Sequence, residues 1–396
     1  MMKIIKGGVT AARGFRASGI PCGIKYRNKD LALICSQVPS VACGLFTQNK
    51  VQAAPIKVTQ AHLKNNRAQA IVINSGSANC CTGKQGIVDA RKICQAVGKK
   101  LTISSDDVLV ASTGIIGIRL PLERINEKIG LLVNRLSTQR SLEAAQAIMT
   151  TDTLPKQISV ELKIGGAWVR IGGIAKGAGM IRPHLATMLG FIATDAAVDK
   201  GRLKKALQEA VNSSFNLITV EGDTSTNDMV LALANGMAGN KNFKPQEFKV
   251  FQKALNFVCL ALARMIVKDA EGATKFVEIQ VEGARDTAQA KKVAFKVANS
   301  PLVKTALYGE NPNWGRIAAA VGSAEGAVRE NRLSIYLGVV RVLQQGVAVK
   351  VNQQRLNKVF KKDEIQIKIV LGLGKFAATV FTCDLSHRYI KINAEY

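Results

Sequence analysis

One threonine stands where its hydroxyl could act on its own backbone. The run Lys176-Gly177-Ala178-Gly179-Met180-Ile181-Arg182-Pro183-His184-Leu185-Ala186-Thr187-Met188-Leu189 reaches Thr187 through glycines and a proline. That composition breaks helices and strands and suits a bent loop. Attack of the Thr187 hydroxyl on the carbonyl carbon of Ala186 would cut the chain and leave Thr187 with both a hydroxyl and a free α-amine. A terminal amine can serve as the base that activates so weak a nucleophile. The same run also fits a glycine-rich loop before a buried helix.

Acyl transfer by threonine needs donors for the developing oxyanion and groups that orient the substrate. The free α-amine would have a reference pKa of about 7.7–8.0, so part of it is neutral near neutral pH and can accept a proton. Thr113-Gly114 follows the apolar run Val108-Leu109-Val110-Ala111 and could aim a hydroxyl and an N–H at one oxygen. An ordinary strand-to-helix turn has the same composition. Thr150-Thr151-Asp152-Thr153 and Asp223-Thr224-Ser225-Thr226 are rich in hydroxyls and equally suit turns and caps. Lys176 is a lone cation between small residues, open to a substrate carboxylate or simply to solvent. Glu271 follows a helical segment and reads as a ligand or as a terminal solvated carboxylate.

The elements that must place these groups alternate along the chain. Short apolar runs at 30–35, 68–74 and 108–111 read as buried strands, the second running into a loop at Ser75-Gly76-Ser77-Ala78-Asn79. A helix is expected over 121–136, with proline in its first turn. Gly165-Gly166 between two strand-like runs, 158–164 and 168–171, signals a hairpin that delivers the chain to Lys176. Helices follow at 201–213 and 244–267, with a polar loop at 221–228 between them, then strands at 276–282, 366–371 and 378–383 and a tail from Tyr389 to Tyr396. No stretch rich in proline, serine or charge separates two halves, so one interwoven α/β unit with mixed sheets is expected.

Composition removes several classes. The eight cysteines form no C-x-x-C pair and only His62, His184 and His387 are present, so no metal site is expected. Lys and Arg outnumber Asp and Glu by 55 to 28, a net charge of +27. Nucleic-acid binders share such a charge, but here the cations are scattered and aromatics are scarce, which argues against a dedicated nucleic-acid partner. Gly372-Leu373-Gly374 and Gly83-Lys84 lack the frames of nucleotide-binding loops. No apolar run reaches a membrane-spanning length and the N-terminus does not read as a signal peptide, so a soluble cytoplasmic protein without a membrane partner is expected.

A series of ordered motifs then carries a resemblance over nearly the whole chain. Its markers are Gly14-Phe15-Arg16-Ala17, Asn74-Ser75-Gly76, Ser112-Thr113-Gly114-Ile115-Ile116-Gly117, Met149-Thr150-Thr151-Asp152-Thr153, Lys176-Gly177, Ala186-Thr187-Met188-Leu189, Gly222-Asp223-Thr224-Ser225-Thr226-Asn227-Asp228, Glu271-Gly272-Ala273-Thr274-Lys275 and Asn311-Pro312-Asn313-Trp314-Gly315-Arg316. In these the chain resembles the ornithine acetyltransferases of arginine biosynthesis, also called glutamate N-acetyltransferases.

The resemblance implies self-cleavage before Thr187 into an α chain (1–186) and a β chain (187–396), within a four-layer α/β/β/α sandwich. It implies that Thr187 takes the acetyl group of N2-acetyl-L-ornithine as an ester and passes it to L-glutamate, with no cofactor and with acetyl-CoA as a candidate co-substrate. By the same resemblance Thr113 and Gly114 match the oxyanion positions, Thr150, Lys176, Thr187, Glu271 and Asn393 match the substrate-binding positions, and two α and two β chains assemble into a heterotetramer. A self-processing N-terminal aminopeptidase of related fold is the alternative within enzymes.

The sequence departs from the family's pattern at the approach to the cut, Arg182-Pro183-His184-Leu185, and at Ser77 and Cys80. It also lacks the terminal Ser or Thr that members place a residue or two beyond Tyr396. Its charge is more basic than the family leads one to expect.

Overall fold

The computed structural model describes residues 2–182, 188–240, 243–326 and 328–395. Ala186 and Thr187 lie outside the described residues. The chain gathers into two compact units, Met1–Asn216 with Asp223–Ile266, and Leu217–Gly222 with Val267–Tyr396. Neither unit ends at residue 186.

In chain order the first unit contains β1 (Met2–Ile5), β2 (Phe15–Ile20), β3 (Leu31–Phe46), α1 (Ala54–His62), β4 (Arg67–Ser77), α2 (Gly83–Leu101), β5 (Val108–Ile115), α3 (Leu122–Asn134), α4 (Ser141–Ala147), β6 (Lys156–Ile164), β7 (Ala167–Lys176), β8 (Leu189–Thr194), α5 (Lys200–Asn212) and β9 (Met229–Ala234). Their strands form one sheet in the order β1-β6-β7-β8-β9-β3-β4-β5, with β2 paired to β3. The long β3 serves two neighbours. Leu31–Cys35 pairs with β4, Val41–Phe46 pairs with β9, and the register shifts between Cys35 and Ser40. Pro39, which has no N–H to give a ladder, sits in that shift.

The apolar runs read from sequence are buried on both faces, as strands of a covered sheet must be. Ala70, Val72, Val108 and Val110 pack with Ile93 and Val97 of α2 and Ile125 and Ile129 of α3. Their alternates, Ile71, Ile73, Leu109 and Ala111, join Phe191 and Leu231 in a second core. Two pairs, β4–β5 and β8–β9, are parallel, and each is joined through a connection long enough to hold a helix, α2 and α5 respectively. The β6–β7 hairpin turns at Gly165 and Gly166, whose φ values of 58° and 86° suit the two-residue turn.

Helix α6 (Pro245–Lys268) closes the first unit. It corrects the expectation that no apolar run is long enough to cross a bilayer, since 18 of its residues average a hydropathy of 1.6. Its apolar residues serve the protein interior instead. Phe251, Leu255, Val258, Leu262 and Ile266 are fully buried at three- and four-residue intervals.

The second unit contains β10 (Phe276–Ala284), α7 (Thr287–Ala298), α8 (Pro301–Tyr308), α9 (Trp314–Gly322), β11 (Ser334–Leu337), β12 (Val340–Gln344), β13 (Val347–Ala348), α10 (Gln353–Phe360), β14 (Glu364–Val370), β15 (Phe376–Cys383) and α11 (His387–Ala394). Its strands run β13-β12-β11-β14-β10-β15, and one face packs Val277, Ile279, Ile367 and Val380 against Val293 and Val297 of α7. Both units are mixed α/β, as the sequence led one to expect.

Candidate active site

The residues at 112–114 continue a strand where a strand-to-helix turn was an open reading. β5 runs on to Ile115, and Thr113 and Gly114 pair with Ser75 and Gly76 of β4, so Ser75–Ser77 is also strand where a loop was expected. Two glycines permit this close pairing. A Cβ on Gly114, whose φ is 129°, would lie 2.4 Å from the carbonyl carbon of Gly76.

Buried amides fix the corner. Ser112 Oγ donates to Asn74 Oδ1 at 2.6 Å, and Asn74 Nδ2 donates to the Ser77 carbonyl at 2.9 Å. From the polar loop at 221–228, Asn227 Nδ2 donates to the carbonyls of Ala78 (2.6 Å) and Ser112 (2.9 Å). With both neighbours tied down, Thr113 presents a buried hydroxyl in a set position.

That hydroxyl meets Lys176. The lysine ends β7, is only 2% exposed, and donates to Thr150 Oγ1 at 2.7 Å and Thr113 Oγ1 at 3.4 Å. Solvent exposure, one of the two readings open for it, is thereby removed, and it is no lone cation. Asp152 lies 3.9 Å from its ammonium. Lys156, beside it at the open end of the hairpin and also 2% exposed, donates to the same carboxylate at 2.7 Å. The N–H groups of Thr150 (3.0 Å) and Gly177 (2.7 Å) complete its shell. Burial would raise the carboxyl's pKa, but Lys176 and Lys156 hold it well below the usual carboxylate range. The site therefore contains a permanent carboxylate flanked by two buried ammoniums.

Beyond the residues outside the description, Met188 N–H donates to Asp228 Oδ1 at 2.9 Å, and Leu189 pairs with Lys176. Thus the residue after Thr187 and the lysine that reaches Thr113 belong to one corner of the sheet.

The remaining two candidates belong to the second unit. Asn393 Nδ2 donates to Glu271 Oε2 at 2.8 Å, so the carboxylate does more than close a helix. The tail expected after Cys383 is helical there, as α11, and Ser386 caps it by accepting from Tyr389 N–H. Gly272 lets this helix approach, since a Cβ there would lie 2.5 Å from Tyr389 N. Asp384 fastens the same segment by accepting from Thr274 Oγ1 (2.7 Å) and from the N–H groups of Thr274 and Lys275 (2.8 and 2.9 Å).

Comparison with known proteins now decides the family. The profile of the ArgJ family matches residues 16–396. The chain belongs to the ArgJ family. A relative from Symbiobacterium thermophilum, the arginine biosynthesis bifunctional protein ArgJ, is 45% identical over the full length of both chains. One of the same name from Dehalococcoides mccartyi is 47% identical over 98% of this chain and 97% of its own. A solved structure of the Mycobacterium tuberculosis ornithine acetyltransferase complexed with ornithine is 40% identical, covering 46% of this chain and 98% of that one at a TM-score of 0.44. Membership makes the protein an acyltransferase of arginine biosynthesis.

Seen as an ArgJ protein, the chain brings Thr113, Gly114, Thr150 and Lys176 together in its first unit, and Glu271 with Asn393 in its second. Sequence reasoning gave no role to the residues that hold the first group, Asp152, Asn74, Asn227 and Asp228, although all four stand in the motifs, and it missed Lys156 altogether. Lys156 begins the first strand of the hairpin and Lys176 ends the second, which places both at its open end. Six of the cysteines are buried, as expected for free thiols, and burial pushes Cys43, Cys94 and Cys259 up to about 12.

Proposed function

We propose that this protein moves the acetyl group of N2-acetyl-L-ornithine to L-glutamate through an ester on Thr187, after cutting itself between Ala186 and Thr187. The observation that carries this reading is the buried Lys176 ammonium bonded to the Thr150 and Thr113 hydroxyls, on the strand that pairs with the segment after Thr187. The Thr187 oxygen attacks the acetyl carbonyl while its α-amine takes the hydroxyl proton and returns it to the departing ornithine amine. Glutamate's amine then attacks the ester, and Thr187 regains its proton. Because Lys176 donates to Thr113 Oγ1, the Thr113 hydroxyl hydrogen is left for the oxyanion, which the Gly114 N–H also faces in this reading. Lys176 and Thr150 orient the substrate, and for Glu271 and Asn393 the resemblance to the ornithine acetyltransferases supports a substrate-binding role.

The relatives' description as bifunctional accords with a second acetyl donor, for which we take acetyl-CoA, without a bound cofactor. In this reading the enzyme works in the cytoplasm as two α and two β chains, with no nucleic-acid or membrane partner.

Purified wild type is expected to migrate as two fragments, the second beginning at Thr187, and to release one equivalent of ornithine from acetylornithine alone while that fragment gains an acetyl group. Thr187→Ala should remain one chain and do neither. A wild type that stays intact yet turns over at full rate overturns the mechanism.

A further inference from the structure

A second lysine reaches the residue next to one of Lys176's partners, from a loop no motif marked. Lys25 Nζ donates to the Met149 carbonyl at 2.8 Å, while Lys176 Nζ donates to the hydroxyl of the next residue, Thr150. Two lysines thus hold adjacent residues, one through a backbone carbonyl and the other through a side-chain hydroxyl. The placement of Lys25 is built from below. The Asp30 carboxylate accepts from the N–H groups of Cys22 (2.6 Å), Ile24 (2.7 Å) and Lys25 (2.8 Å), which curls this short loop. The Lys25 stem lies against Gly76, where a Cβ would come within 3.1 Å of its Cγ, and Gly76 is the residue that abuts Gly114. A freely solvated lysine would need none of this.

The chemistry of the exchange calls for such a cation. Acetylornithine carries one carboxylate, and its side chain ends in an ammonium. Glutamate carries the same α-carboxylate, and its side chain ends in a second one. A site that accepts both in turn has to meet a negative charge in the second half-reaction that the first never presents. We infer that Lys25 is a specificity-determining residue for the acceptor, its ammonium receiving the side-chain carboxylate of glutamate. Burial lowers the pKa of Lys25, and Lys176 works in the same direction against Asp30 and Asp152. A half-buried ammonium gains more from an added carboxylate than a fully exposed one does. Shifting its hydrogen bond away from a backbone carbonyl costs little against a charge-assisted bond to a carboxylate.

This inference rests on the ester mechanism proposed above, and the half-reactions separate the two. Lys25→Met keeps an unbranched stem against Gly76 and removes the ammonium, with its charge and its hydrogen bond to the Met149 carbonyl. In pre-cleaved enzyme it should lower kcat/KM for glutamate at least tenfold, mainly through KM, while the burst of ornithine from acetylornithine changes no more than twofold. Glutamine, neutral at the same position, should be an equally poor acceptor for wild type and variant, and Lys25→Arg should recover part of the glutamate preference. A Lys25→Met enzyme that keeps wild-type kcat/KM for glutamate, or loses glutamate and glutamine in equal proportion, overturns the assignment. A wild type that gives no ornithine burst sinks the ester mechanism instead. If Lys25→Met fails to fold, as circular dichroism would show, Lys25→Arg and Lys25→Gln with the same two acceptors decide the matter.

Discussion

Asp152 is the residue on which the site's electrostatics turn. Two ammoniums that are each 2% exposed share its carboxylate, and removing one partner of a buried pair leaves the rest uncompensated. Asp152→Asn should therefore cost about 3–5 kcal/mol of stability near neutral pH. The pH dependence has a definite sign. The folded-state pKa lies below that of the unfolded chain, about 3.9, so the native state binds fewer protons. This stabilisation is complete above the unfolded value and is lost as pH falls toward the folded one. The stability gap between wild type and Asp152→Asn, measured by urea unfolding, should be constant from about pH 6 to 8 and shrink below about pH 5. A gap independent of pH would mean that the carboxylate's charge plays no part. None of this was legible in the sequence. Thr113, Thr150 and Lys176 stand in motifs, but the partner that gives Lys176 its environment is recognisable only after a hairpin has folded Lys156 and Lys176 together.

At the scale of elements, the pairing of β4 with β5 sets the proposed oxyanion donors. Gly114→Ala would force a Cβ to 2.4 Å from the Gly76 carbonyl carbon, at a φ that side chains rarely adopt. One strand end must move, taking the Gly114 N–H and the Thr113 hydroxyl with it. Losing one such donor costs about 10²–10³ in kcat, so pre-cleaved Gly114→Ala should fall by at least that factor while its KM changes less. Wild-type kcat in this variant would place the oxyanion donors elsewhere. The strands here were legible because they are continuous apolar runs between turn residues. Helix α2 was not, since its first turn, Gly83-Lys84-Gln85-Gly86, has a loop's composition and Thr82 makes no capping bond. Helix α11 is only eight residues long and buries none of them, so no core-facing pattern announces it. Its one sequence signal is Ser386, which does cap it.

For the whole molecule, the order of the strands before and after the proposed cut has a consequence that can be measured. Strands β8 and β9 follow the proposed cut, yet they lie between β7 and β3, which precede it. Lys176–Ile171 pairs with β8 along one edge, and Val41–Phe46 pairs with β9 along the other. Two fragments made by cutting after Ala186 are therefore held by two full ladders and by a core that takes Ile174 and Ala42 from one side of the cut and Phe191 and Leu231 from the other. Nothing in the proposed reaction requires them to part. Cleaved protein should elute from a sizing column as one species containing both fragments, and should unfold in urea in a transition in which they separate only as the sheet is lost. Fragments that separate under native conditions, while the remaining protein keeps its activity, would show that the ladders across β8 and β9 do not hold the enzyme together.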